Sequence, residues 1–261
     1  KYSHVYNYEG GGASFNSCVS FKLLDGEKGF FDSDQIIQAI NPKNFYHSPM
    51  TKLVSLENTT NKGGGYCWDI SEFEKIQKVC KENDLGLHMD GARIWNSIIA
   101  MNNDPKIYGN FFDTISVCLS KGLGCPIGSV LVGKGKVMEK AIRVRKILGG
   151  GMRQVGYLAA AGLYALQNNI NRLSDDHRRA KEIAKKFSSK DIVNKINSVE
   201  TNIIIIELNK SVNKQQIINH FTNHNVIFDW YSMGVQKIRI VTHLDYSEKD
   251  HEVLMEIVDK L

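Results

Sequence analysis

The sequence predicts an α/β fold in which a large domain built on a mostly parallel sheet is followed by a smaller C-terminal α/β domain. Three observations carry this. Between Thr51 and Gly133, short apolar runs alternate with segments of helical periodicity, the pattern of successive β-α-β units. At the three glycines 149 to 151 the character changes to alanine-rich and charged helical stretches. Beyond these lie three more strand candidates with one helix among them and another after them. The large domain is assigned to residues 1–165 and the small one to 166–261.

Each element has a local reason. TKLVSLE (Thr51 to Glu57) reads as a strand, and a polar turn separates it from a helix over Ser71 to Asn83. In that helix Phe73, Ile76, Val79 and Cys80 share one face, with Ser71 placed as N-cap and Glu74 three residues on as a capping box. LGLHMD (Leu85 to Asp90) is a short strand, and ARIWNSIIAMNN a helix stopped near Pro105. DTISVCLS (Asp113 to Ser120) and GSVLVG (Gly128 to Gly133) are strands separated by a turn at Pro126. Met152 to Ile170 has strong helical propensity, and the basic run of the next helix, Arg172 to Phe187, reads as a solvated face. TNIIIIEL, IFDWY and KIRIVTHL are the strands of the small domain, with QQIINHFTNH and SEKDHEVLMEIVDKL as its helices.

Composition excludes several classes. With 261 residues, 42% of them hydrophobic, the chain can bury a large core. Thirty-three basic against 28 acidic residues leave +5, spread over the whole length, which does not imply nucleic acid. The five cysteines (Cys18, Cys67, Cys80, Cys118, Cys125) are scattered and never spaced C-x-x-C, so neither a disulfide framework nor a zinc site is indicated and a reducing cytoplasm is expected. No apolar run approaches the ~18 residues of a membrane span, and KYSHVYNYEGGG lacks a signal-peptide layout. A soluble protein is expected. The absence of an initial methionine raises the expectation of a longer parent product.

Chemistry is expected at strand ends, because ligands of open parallel sheets sit outside the carboxyl ends of the strands. Three strands deliver polar residues there: Glu57-Asn58, Asp90-Gly91-Ala92-Arg93 and Ser120-Lys121-Gly122. Adjacent strands lie ~5 Å apart, so Asp90 and Lys121 can face opposite ends of one flat ligand. A lysine imine with an aspartate on the ring nitrogen is the recognition pattern for pyridoxal phosphate. Plain alternatives stand beside this reading: Asp90 directly before ARIWN is also placed to cap that helix, and a lysine after a strand is commonly just solvated. KGLGCPIG does not fit the dinucleotide-binding glycine pattern.

Four stretches in order, LHMDGARIWN, SVCLSKGLGCPIGSVLVG, RKILGGGMRQVGYLAAAGLYAL and IRIVTHL, resemble the low-specificity threonine aldolases, in the β-eliminating-lyase branch of the fold-type-I pyridoxal-phosphate enzymes. The similarity runs from SHVYNYEGGG to the last helix. It implies pyridoxal 5'-phosphate as cofactor, a small β-hydroxy amino acid as substrate, and a homodimer or homotetramer. Lys121 would be the Schiff-base lysine, Asp90 the partner of the pyridine nitrogen, and His4 the histidine stacked on the ring. Arg93 would lie near the phenolic oxygen or the substrate carboxylate, and His47 near the substrate hydroxyl. Lys146 and Arg153, bracketing LGGGM, would lie near the cofactor across a subunit interface. Arg239 would grip the α-carboxylate; its strand sends Ile238, Ile240 and Thr242 to the opposite face.

The implied reaction is cleavage of L-threonine or L-allo-threonine to glycine and acetaldehyde. Two rival readings are β-elimination from an aromatic amino acid and an inactive fragment or subunit of the same fold. Two departures from the family pattern accompany the resemblance. About eighty residues that family members carry ahead of the stacking histidine, including a Gly/Thr phosphate-binding loop, have no counterpart in these 261 residues, so weak cofactor binding is expected of them alone. Thr60 in ENTTN stands where many relatives have a histidine.

Overall fold

The first sheet is made by four strands whose alternation decides where everything else goes; a computed structural model describes residues 1–261. Strands β1 (Leu53–Glu57), β2 (Gly86–Gly91) and β3 (Thr114–Cys118) run parallel in that order, and β4 (Ser129–Gly133) closes the sheet antiparallel to β3. Val54 and Leu56, Leu87 and Met89, and Ile115 and Val117 turn to one face. There they meet Phe73, Ile76, Val79 and Cys80 of helix Ile70–Glu82, Ile94 and Ile98 of helix Ile94–Met101, and Tyr108 of helix Pro105–Phe111. The opposite face carries the intervening residues, Ser55 and Glu57, His88 and Asp90, Thr114, Ser116 and Cys118.

The small sheet is antiparallel throughout, with β6 (Ile203–Leu208) between β5 (Val193–Ile196) and β7 (Lys237–Val241). Ile204, Ile206, Ile238 and Ile240 pack with helices Leu173–Ser188, Lys214–Thr222 and Glu248–Asp259 into a second core. A small cluster of Leu123, Cys125, Ala165 and Leu173 lies apart from both cores.

Several local expectations are corrected. Helix Ile70–Glu82 is capped by Asp69, whose carboxylate accepts from Ser71 N at 2.8 Å, so the cap falls two residues before Ser71. Pro105 opens a new helix at its first turn, while the preceding helix ends on Asn102 in the left-handed region (φ 51°). IFDWY is not a strand: only Asp229 bridges Arg239, because the Asp229 carboxylate turns back onto Ser232. The third strand of the small sheet is instead Val193–Ile196. Helix Gly135–Ile147, outside the expected elements, buries none of its residues. No helix is long and apolar enough to cross a membrane.

Side chains tie the two sheets together. Thr201 Oγ1 donates to Gly65 O at 2.6 Å, and Cys67 N donates to the Glu200 carboxylate at 2.8 Å. Asn96 Nδ2 lies 3.1 Å from His177 Nε2, which accepts its hydrogen bond. Burial, with a smaller push from Lys181, drives the His177 pKa down to about 4. An unfolded histidine titrates near ~6.5. Between those values the unfolded chain takes up a proton that the folded chain refuses, so this contribution to stability is whole above the upper value and falls as pH drops through the window. The loss reaches about 3 kcal/mol at the acid end. His177→Gln should therefore flatten the acid limb of a plot of urea midpoint against pH; an unchanged limb would assign the acid sensitivity elsewhere.

Candidate active site

The polar face of the first sheet gathers the site at the strand ends. Glu57 and Asp90 are paired in the β1–β2 register, and Asp90 is paired with Ser116 across β2–β3. Asp90 Oδ1 accepts from Ala92 N at 3.1 Å in the turn before the next helix, but it does not cap that helix, whose N-cap position is Arg93. This turn contact and ligand binding are compatible, since a carboxylate has two oxygens.

Lys121 follows β3 in a tight loop closed by Gly124 N on Lys121 O at 2.9 Å and Cys125 N on Leu119 O at 3.1 Å. Gly124 sits at φ 73°, a conformation glycine adopts without strain. The loop is also held from outside: Asn169 Nδ2 donates to Leu123 O at 2.8 Å and Arg172 Nη1 to Gly122 O at 3.3 Å. Arg172 is itself anchored on the buried Asp176 at 2.5 Å. The Lys121 amine is exposed, with Cys118 Sγ 3.0 Å away. An amine on a pinned loop can reach a carbonyl carbon without the backbone moving.

Glu57 is the hub of the remaining groups. Its carboxylate accepts from His4 N and from Asn61 N, each at 2.6 Å, and burial pushes it upward in pKa against the pull of those two donors. His4 Nδ1 meets Glu9 Oε1 at 2.7 Å. Because a carboxylate only accepts, Nδ1 carries the hydrogen in this contact and a neutral ring has its lone pair on Nε2. Asn61 Oδ1 accepts from Arg93 Nη1 at 3.1 Å and from Arg239 Nη2 at 2.7 Å. Burial, then the neighbouring Arg239, pushes the Arg93 pKa down to about 10. Burial also lowers Arg239, whose nearest carboxylate, Asp229, is 3.7 Å away.

The structure thus links His4, Arg93 and Arg239 through Glu57 and Asn61, beside Asp90. Lys121 follows the neighbouring strand. The other three residues singled out in the sequence are not drawn in. His47 is exposed on the loop that enters the start of β1, against Tyr46 at a ring distance of 3.9 Å, whereas the site lies at that strand's end. Lys146 and Arg153 are exposed around helix Gly135–Ile147, and Lys146 packs over Gly151. Sequence reasoning missed Asn61 and Glu9. Asn61 has no signal in spacing because its partners are distant in sequence, and Glu9 meets His4 at a separation of five that matches no regular period.

A primary amine, a carboxylate on the adjacent strand and an imidazole beside them suit the aldehyde, ring nitrogen and ring face of pyridoxal phosphate. Matched over residues 1–211 by the model for the β-eliminating lyases, the chain belongs to that family. Within it, the chain is 37% identical over 252 residues to low-specificity L-threonine aldolase 1 of Arabidopsis thaliana, covering 95% of this chain and 70% of that protein. It is 36% identical over 250 residues to the low specificity L-threonine aldolase of Escherichia coli K12, covering 95% and 71%. It thus groups with the low-specificity threonine aldolases and spans about seven-tenths of their length. Among solved structures, the Leishmania major threonine aldolase superposes with a TM-score of 0.81 at 19% identity, over 99% of this chain and 75% of that one. The histidinol-phosphate aminotransferase of Clostridium acetobutylicum gives 0.65 at 15%, over 98% and 75%. Both share the fold-type-I architecture.

Proposed function

We propose that this chain cleaves L-threonine and L-allo-threonine to glycine and acetaldehyde with pyridoxal 5'-phosphate. The observation that carries the reading is the placement of Asp90 and Lys121 at the ends of neighbouring parallel strands, with the Arg93–Arg239 pair beside them. Lys121 would hold the cofactor's aldehyde carbon and Asp90 its protonated ring nitrogen. When bound, the cofactor supplies a sink for the electron pair left at the substrate's Cα. Arg239 and Arg93 bind the α-carboxylate, a task suited to guanidinium forks. His4, backed by Glu9, offers Nε2 as the base for the β-hydroxyl proton, directly or through a water it holds. Loss of that proton drives the Cα–Cβ electrons onto Cα and releases acetaldehyde. A proton returned to Cα gives glycine.

Five free cysteines support a reducing cytoplasm as its compartment. A homo-oligomer is supported by the exposed apolar residues of β4 and the helices after it, among them Val130, Leu131, Ile142 and Tyr157. Borohydride reduction of the protein incubated with pyridoxal phosphate, followed by peptide mapping, tests the assignment. The adduct is expected on Lys121. An adduct on Lys146 or any other lysine instead would remove Lys121 from the reaction.

A further inference from the structure

Arg93, at the N-cap of the helix after β2, and Arg239, on β7 of the other sheet, meet on one atom, the side-chain oxygen of Asn61, at 3.1 and 2.7 Å. Two nitrogens that share an acceptor lie within ~6 Å of each other, a spacing at which one carboxylate can take a donor on each oxygen. The acceptor they share is neutral. Asp229 stands off at 3.7 Å from Arg239, and both oxygens of Glu57 are engaged by the N–H groups of His4 and Asn61. The two guanidiniums thus share a neutral hydrogen-bond acceptor, while Glu57 and Asp90 act on Arg93, and Asp229 on Arg239, only through space. Asn61 cannot drift, because its own N–H is tied to Glu57 Oε1 at 2.6 Å.

We propose that Asn61 is a positioning residue for the substrate carboxylate: its amide oxygen clips Arg93 and Arg239 at the spacing of one carboxylate, and its neutrality leaves their charge available to that group. The proposal deepens the threonine-cleaving reading and rests on it for the identity of the substrate. Two consequences follow from the chemistry. An aspartate at this position would occupy both guanidiniums itself, and an alanine would leave two half-buried cations to repel each other apart. The ligand class is an acid with a free carboxylate; the corresponding ester or amide has no charge to offer the pair.

The test uses 3-hydroxybutyrate, which is threonine without its amine and so binds without imine chemistry. Its dissociation constant is measured by NMR titration of the wild-type chain, Asn61→Ala and Asn61→Asp, alongside thermal melting and threonine turnover. The dissociation constant should rise about threefold to tenfold in Asn61→Ala and more than tenfold in Asn61→Asp. Asn61→Asp should melt no lower than wild type, because the added carboxylate satisfies both guanidiniums. In turnover, KM should rise in the same order with kcat within about threefold. Loss of binding without loss of stability separates positioning from a merely structural role.

Binding of 3-hydroxybutyrate by Asn61→Asp within twofold of wild type overturns the proposal, as does a wild-type chain that does not bind it. Equal binding by Asn61→Ala and wild type also overturns it, since charge competition alone would then explain the aspartate. If the expected order of binding is found in a chain that does not cleave threonine, the activity reading fails and the clip stands. If threonine is cleaved with KM unchanged in both variants, the clip alone falls.

Discussion

Lys121→Ala is expected to abolish threonine cleavage, lowering the rate by a factor on the order of 10³ or more, the scale on which losing a covalent nucleophile is felt. The size of the effect follows from what nothing else in the site can do. Asp90, Arg93, His4 and Arg239 bind, orient or move protons, whereas only Lys121 among the gathered groups offers a primary amine. Its side chain is exposed, with Cys118 as hydrogen-bond partner, so truncation leaves the fold intact. Lys121→Arg is the informative control, because it keeps the positive charge and removes the attacking amine. Steady-state cleavage assays should find both variants equally inactive, with melting temperatures near wild type. An active arginine variant would mean that the charge, and not the amine, is what the site uses.

The largest effect on stability is expected at Phe73. Its side chain is fully buried at the centre of an aromatic cluster, with ring centroids of Trp68, Tyr108, Phe111 and Phe112 between 5.1 and 6.0 Å away. Those partners come from the loop before the helix that carries Phe73 and from the segment after Asp104. Removing the ring opens a cavity that none of them can collapse into alone. Phe73→Ala should cost about 3 to 5 kcal/mol in urea unfolding, while Phe73→Leu, which keeps most of the volume, should cost under about 1.5 kcal/mol. Comparable losses for the two would show that the site relaxes around the gap.

What the sequence made legible was mostly what repeats locally. β2 and β3 alternate strictly and β1 does so in part, and the polar ends of the three presented Glu57, Asp90 and Lys121 before any fold was known. His4 and Arg239 came from family resemblance, because a lone histidine and a strand arginine have no distinguishing pattern of their own. Helix Gly135–Ile147 was overlooked although Val137, Met138, Ala141 and Ile142 recur at helical spacing; the structure leaves that stripe unburied. β5 escaped for its brevity: VNKI has four residues and no buried one. IFDWY misled in the other direction, since β-branched and aromatic residues favour strands but the Asp229–Ser232 turn bends the backbone away after one bridge. Asn61 was invisible for a deeper reason. Its partners Arg93 and Arg239 are 32 and 178 residues away, and no local pattern spans such distances.

The 178 residues between Asn61 and Arg239 also set a schedule for the ribosome. At roughly 5 to 20 residues per second, Asn61 is made about ten to forty seconds, and Arg93 about seven to thirty seconds, before Arg239 exists. During that interval β1 to β3 and Lys121 have been made, while only Arg93 of the arginine pair has been synthesised. Until Arg239 is added, the growing polypeptide carries the Lys121 amine and one of the two guanidiniums, so the amine is made before the carboxylate grip is whole.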